Sequence, residues 1–152
     1  DGCRTPMPWD YDQPAAGFSA GKAVKPWLPI PAQHVRHAVS SLETKPESAL
    51  HFVRAFLQWR RQDPSLVAGE IQFLTGTDEV LALVRSPRSG EVGATWLCIF
   101  NFASHEVRVH LEDAPSSTVH ALPKLPAHQM GARLDNAFVL PAYGIYWGAV
   151  TA

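Results

Sequence analysis

The chain has 152 residues, 46% of them hydrophobic, with a formal net charge of −1. That apolar content is enough for a core and argues against wholesale disorder. Acids and bases are mixed along the chain, leaving no basic face for nucleic acid or an anionic membrane surface, and no 18-residue apolar run is present to span a bilayer.

Residues 1–46 hold seven of the thirteen prolines: Pro6, Pro8, Pro14, Pro26, Pro29, Pro31 and Pro46. Proline fixes φ and removes a donor, so neither a long helix nor a central strand fits there. Trp9, Tyr11, Phe18 and Trp27 lie in the same stretch, and linkers are poor in aromatics. The segment reads as a long ordered loop packed on something else, of the kind usually tied to function.

PESALHFVRAFLQWRRQ, residues 46–62, predicts a helix. Pro46 suits a first turn, and Thr44 and Glu47 have capping-box spacing. Leu50, Val53, Phe56 and Leu57 fall on one stripe, and Phe52 and Trp59 widen it. Asp63-Pro64 stops it.

From residue 69 the period becomes two. HEVRVHLE (105–112) alternates apolar and polar residues. EIQFL (70–74), EVLALVR (79–85), ATWLCIFNF (94–102) and AFVLPAYGIYWGAV (137–150) complete the apolar set, with SPRSG and DAPSS as breakers. Short strands between such turns predict a small antiparallel sandwich. The loop and helix before it have no sheet of their own, which suggests a larger body they once leaned on. The chain shows no leader and no initiator Met, and it reads as a fragment of something longer. Two cysteines, Cys3 and Cys98, do not make a disulfide framework, so both are expected reduced and the protein cytoplasmic.

Aromatics beside acids suggest sugar chemistry. A retaining glycosidase needs two carboxyl groups about 5–5.5 Å apart. Asp1, Asp10 and Asp12 have the right type, but the sequence places no two on rigid neighbouring elements, and the plainer role of Asp10 and Asp12 is capping turns. Arg4 is either a fork for a carboxylate or sugar hydroxyl, or an ion-pair partner that pins the loop. Trp9, Phe18 and Trp27 either stack on sugar faces or bury area. His34 and His37 have HxxH spacing, yet no third ligand accompanies them, so no metal is expected. No phosphate-binding glycine loop and no G-x-S-x-G elbow is present.

The opening stretch DGCRTPMPWD, followed by AGFSAG, KPWLPI and the helix PESALHFVRAFLQWRRQDPSLVAGE, resembles the α-glucosidase branch of the α-amylase family (glycoside hydrolase family 13). Oligo-1,6-glucosidases, trehalose synthases and sucrose isomerases belong to that group. Its pattern is close to R-D-x-x-R-T-P-M-x-W, then G-F, then K-P-W-L/I-P-V. Asp1, Arg4, Thr5, Pro6, Met7 and Trp9 fill it, with Cys3 and Pro8 at variable places. WLCIFNF also looks like the family's C-terminal-domain strand ending in N-F.

The resemblance implies a mainly β chain: a C-terminal antiparallel β-sandwich preceded by the last loop and last helix of a (β/α)₈ barrel whose remainder is absent. Residues 1–65 would be the end of the catalytic barrel, with 1–44 on the active-site side, and residues 66–152 the C-terminal β-sandwich domain. That placement agrees with the rule that βα loops at one barrel face build the site. The family's nucleophile Asp, acid/base Glu and transition-state Asp lie upstream of position 1, so no catalytic residue is expected here. Asp1 and Arg4 are carried over as substrate-binding residues at the sugar-site rim. The implied protein is an α-glucosidase that hydrolyses terminal α-linked glucose from short oligosaccharides with retention. Alternatives are a transglycosylase or isomerase of the same family, or a non-catalytic carbohydrate-binding or interaction sandwich. The expected partners are the upstream barrel portion, in the same or a separate chain, and an oligosaccharide; no cofactor, nucleic acid or membrane is expected. The chain alone is expected to be inactive.

Overall fold

A computed structural model describes residues 2–20, 25–116, 118–120 and 130–151. They fall into two compact units, residues 1–55 and 56–152.

The first unit is loop and short helix, as the prolines dictate. Helices α1 (Ala32–Val35) and α2 (Val39–Glu43) follow the proline-rich loop, each one turn or little more. α2 starts on Ala38, which is fully buried, and its first amides are not left to water. Val39 N donates to Pro8 O (3.1 Å) and Ser40 N to Trp9 O (2.9 Å), so the loop satisfies the helix end. Helix α3 (Ala49–Arg60) is shorter than the expected span 46–62. Residues 45–47 form a turn, and Ser48 supplies the cap instead of Thr44: its Oγ accepts from His51 N at 3.5 Å and donates to Leu42 O at 2.8 Å. Thr44 Oγ1 donates to Ser41 O, so the Thr44–Glu47 capping box does not form. An exposed Arg54–Glu43 ion pair (2.8 Å) ties the middle of α3 back to α2.

In the second unit α3 ends at Arg60 and helix α4 (Pro64–Ala68) begins at once. Among the described residues eight strands follow: β1 (Glu70–Leu74), β2 (Val80–Ser86), β3 (Trp96–Asn101), β4 (Val107–His110), β5 (Thr118–His120), β6 (Ala132–Leu134), β7 (Ala137–Leu140) and β8 (Ile145–Val150). They form an antiparallel five-stranded sheet, order β1-β2-β3-β8-β5, and an antiparallel three-stranded sheet, order β4-β7-β6. The expected mainly β antiparallel architecture is therefore present. The segment 137–150 is two strands in different sheets, because Pro141 and the positive φ of Tyr143 (53°) break the run at a turn.

The register explains the sequence pattern. Ala82 pairs with Ile99 and Ile99 with Tyr146, and these side chains meet Leu97, Val107, Val109, Phe138 and Leu140 between the sheets. One residue over, Leu83 pairs with Cys98 and Cys98 with Trp147, so these face the opposite side. There Trp59, Leu66 and Trp96 pack on them. β3 is buried on both faces, which is why WLCIF is continuously apolar while β4, covered on one face, alternates.

Buried and half-buried polar side chains fasten this unit. Asn101, 3% exposed, donates from Nδ2 to His105 O and Pro141 O (both 2.8 Å), and its Oδ1 accepts from Ala103 N (2.8 Å). It thereby joins the crossover after β3 to the turn between β7 and β8. Asp63 caps α4, its Oδ1 accepting from Ser65 N at 2.8 Å, and its Oδ2 accepts from Trp96 Nε1 at 2.8 Å and Ala94 N at 3.3 Å. The Arg85 guanidinium adds two donations to Ser65 O (2.8 and 3.1 Å). Gly69 ends α4 where a Cβ would collide with the carbonyls of Ser65 and Ser86, so only glycine permits that close approach.

Candidate functional site

The chemistry-bearing residues of the first unit gather on its proline-rich loop. Asp1 lies outside the described residues. Arg4 ends a short 3₁₀ turn (Gly2–Arg4), and its guanidinium sits over the Trp27 indole, 4.7 Å from the ring centroid. The guanidinium therefore stacks on an aromatic face, which orients it. Trp27 is 76% exposed, and Trp9, Tyr11 and Phe18 are each about half exposed. These rings do not serve as core in this unit; they are presented at its surface.

Asp10 behaves as a turn former. Its Oδ1 accepts from Asp12 N at 3.1 Å and from Ser40 Oγ at 3.4 Å, and Ser40 Oγ in turn accepts from Tyr11 N at 3.4 Å. The Tyr11 phenol is held above its ordinary range, chiefly by the negative charge of Asp12, then by a hydrogen bond to Asp12, slight burial and the charge of Asp10. It stays a neutral donor at physiological pH. His34 and His37 are exposed, on and just beyond α1. Among the described residues no three His, Cys, Asp or Glu side chains converge as a metal site.

The two thiols differ. Both are free; Cys3 is exposed on the loop beside Arg4, whereas Cys98 is buried in β3 and burial pushes its thiol up to about 12, against a smaller lowering by Arg85. Cys98 packs within the second apolar cluster.

Sequence reasoning missed Ser40, which receives the loop, and the turn that shapes it. Pro14-Ala15-Ala16-Gly17 carries three successive positive φ values, 50°, 50° and 71° at Ala15, Ala16 and Gly17. Alanine gives no sequence signal for that region, since it rarely enters it. Among the described residues no helix is long and apolar enough to cross a membrane.

No protein-family model matches the chain. It is 35% identical over 148 residues to a probable α-glucosidase of Rhizobium meliloti, covering 97% of this chain and 24% of that protein. An oligo-1,6-glucosidase of Parageobacillus thermoglucosidasius is 33% identical over 78 residues, covering 51% of this chain and 13% of the relative. The crystal structure of the α-glucosyl transfer enzyme XgtA superposes with a TM-score of 0.80 at 33% identity, covering 99% of this chain and 26% of that one. The chain spans about a quarter or less of the length of these relatives. With the loop motif, the two-sheet fold and these similarities in agreement, the chain belongs to the α-glucosidase branch of the α-amylase family and corresponds to a C-terminal portion of it.

Proposed function

We propose that this chain is the C-terminal part of an α-glucosidase that hydrolyses terminal α-linked glucose from short oligosaccharides with retention. The observation that carries the reading is the 35% identity to a probable α-glucosidase across 97% of the chain. In this reading residues 1–65 are the end of a catalytic barrel and residues 66–152 a C-terminal sandwich. An upstream aspartate attacks the anomeric carbon and an upstream glutamic acid protonates the leaving oxygen; water then releases glucose from the glucosyl-enzyme. The loop contributes the rim: Asp1 and the Trp27-stacked Arg4 hold substrate hydroxyls. The upstream portion, in the same or a separate chain, is the partner, and the cytoplasm is the compartment.

Purified 1–152 is expected to release no nitrophenol from p-nitrophenyl α-glucoside, whereas the same chain joined to the upstream barrel portion releases it. Contaminant-free turnover by 1–152 alone, or none by the joined protein, would overturn the assignment.

A second reading is transfer of the glucosyl unit to another acceptor, favoured by the 0.80 TM-score to a glucosyl transfer enzyme. Hydrolysis yields one free glucose per nitrophenol. Transfer yields nitrophenol in excess of glucose when an acceptor alcohol is added, so the ratio decides between them.

A further inference from the structure

We propose that the loop from Trp9 to Phe18 is a sprung flap, closed on the start of α2 by hydrogen bonds and biased toward opening by the left-handed turn Ala15–Ala16–Gly17. The first observation is the backbone. Ala15 (φ 50°, ψ 32°), Ala16 (φ 50°, ψ 37°) and Gly17 (φ 71°) occupy the left-handed region in succession. Single residues visit it routinely only as glycine, and two adjacent alanines there oppose their own intrinsic preference.

The second observation is what holds them. Ala16 O accepts from both Trp9 N (2.8 Å) and Asp10 N (3.0 Å), and Phe18 N donates to Ala15 O (3.1 Å). These bonds close the loop on itself. A second set closes it on α2: Val39 N to Pro8 O, Ser40 N to Trp9 O, Ser40 Oγ to Asp10 Oδ1, and Tyr11 N to Ser40 Oγ. The fit is tight at Gly17, where a Cβ would lie 3.1 Å from Asp10 N and 3.2 Å from Asp10 Cβ.

The third observation is incomplete apolar retention. Trp9, Tyr11 and Phe18 are each only about half covered, and in this stretch the small Ala16 alone is buried, so partly solvated hydrogen bonds and partial ring burial are set against torsional strain. Segments with that balance open locally, without global unfolding. The opening exposes the first turn of α2 and moves the Trp9, Tyr11 and Phe18 rings together.

Residue-resolved amide exchange by NMR on the 152-residue chain tests this, with Trp9 and Asp10 as reporters. Ala15→Gly removes strain but adds freedom to the open state; the balance predicts exchange roughly fivefold slower. Ala15→Asn is expected to move the same way, since asparagine tolerates this region. Gly17→Ala adds strain and a close contact, and is expected to speed exchange about tenfold. Leu97 and Ile99 amides, which report global opening, are expected to stay unchanged in all three. The proposal is overturned if Trp9 and Asp10 exchange at the parent rate in Ala15→Gly and Gly17→Ala, or if they change only in step with Leu97 and Ile99.

Discussion

The two units of this chain are built on opposite principles. Residues 56–152 bury large side chains on both faces of a sheet: Leu97, Ile99, Phe138 and Leu140 on one side, Trp96 and Cys98 on the other. In residues 1–55 the described buried positions are Pro6, Ala16, Ala38 and Ser48, all small or cyclic, while Met7, Trp9, Tyr11, Phe18, Trp27 and Val53 are exposed. The first unit is held by backbone hydrogen bonds, caps and turns. A unit without large buried side chains gains little from the hydrophobic effect, so its aromatics are available for contacts of another kind.

That contrast can be broken from the strong side. Phe138→Ala empties a fully buried position and is expected to cost about 4 kcal/mol of unfolding free energy in urea titration. Asp63→Ala removes the α4 cap and leaves Trp96 Nε1 and Ala94 N without their acceptor; about 3 kcal/mol is expected, with Asp63→Asn recovering part of it. The thiols sharpen the contrast by pH. Folding holds Cys98 neutral up to about 12, whereas its ordinary value is 9.0. Between those values the unfolded chain has lost a proton that the native chain retains. Stability therefore falls as pH rises through that window, by about 1.4 kcal/mol per pH unit. Urea titrations at pH 8 and pH 10 check this, and Cys98→Ala is expected to flatten the dependence. In native protein iodoacetamide is expected to label Cys3 and spare Cys98. The smallest effect belongs to the weak unit: Trp27→Ala is expected to change stability by less than about 0.5 kcal/mol, since it removes only an exposed ring and its contact with the Arg4 guanidinium.

The strands were legible where burial imposes a period. β4 lies inside the alternating run and the doubly covered β3 announces itself as WLCIF, whereas β1 coincides with EIQFL through strand-forming residue types, four of its five residues being exposed. The exchange of sheets within 137–150 was hidden, because both halves are apolar and only Pro141 and Gly144 mark the break. α1 and α2 are too short to show a period, and β6 (ARL) carries none. Asp63-Pro64 marks the stop after α3, and the same pair also caps the next helix with proline in its first turn. On the candidate site, the turn role of Asp10 followed from residue type. The stacking of Arg4 on Trp27 and the closure on Ser40 depend on residues 23 and 30 positions apart from their partners, which no local pattern encodes.

Of the five tryptophans, three form one assembly in the second unit: Trp59 lies 5.1 Å from Trp96 and 5.4 Å from Trp147 between ring centroids, each edge to face. The other two, Trp9 and Trp27, are 51% and 76% exposed. The molecule thus carries its own two-colour optical gauge: shielded, mutually coupled indoles emit toward the blue, and wetted ones toward the red. A single ultraviolet emission spectrum followed through denaturation would therefore track both units without a label.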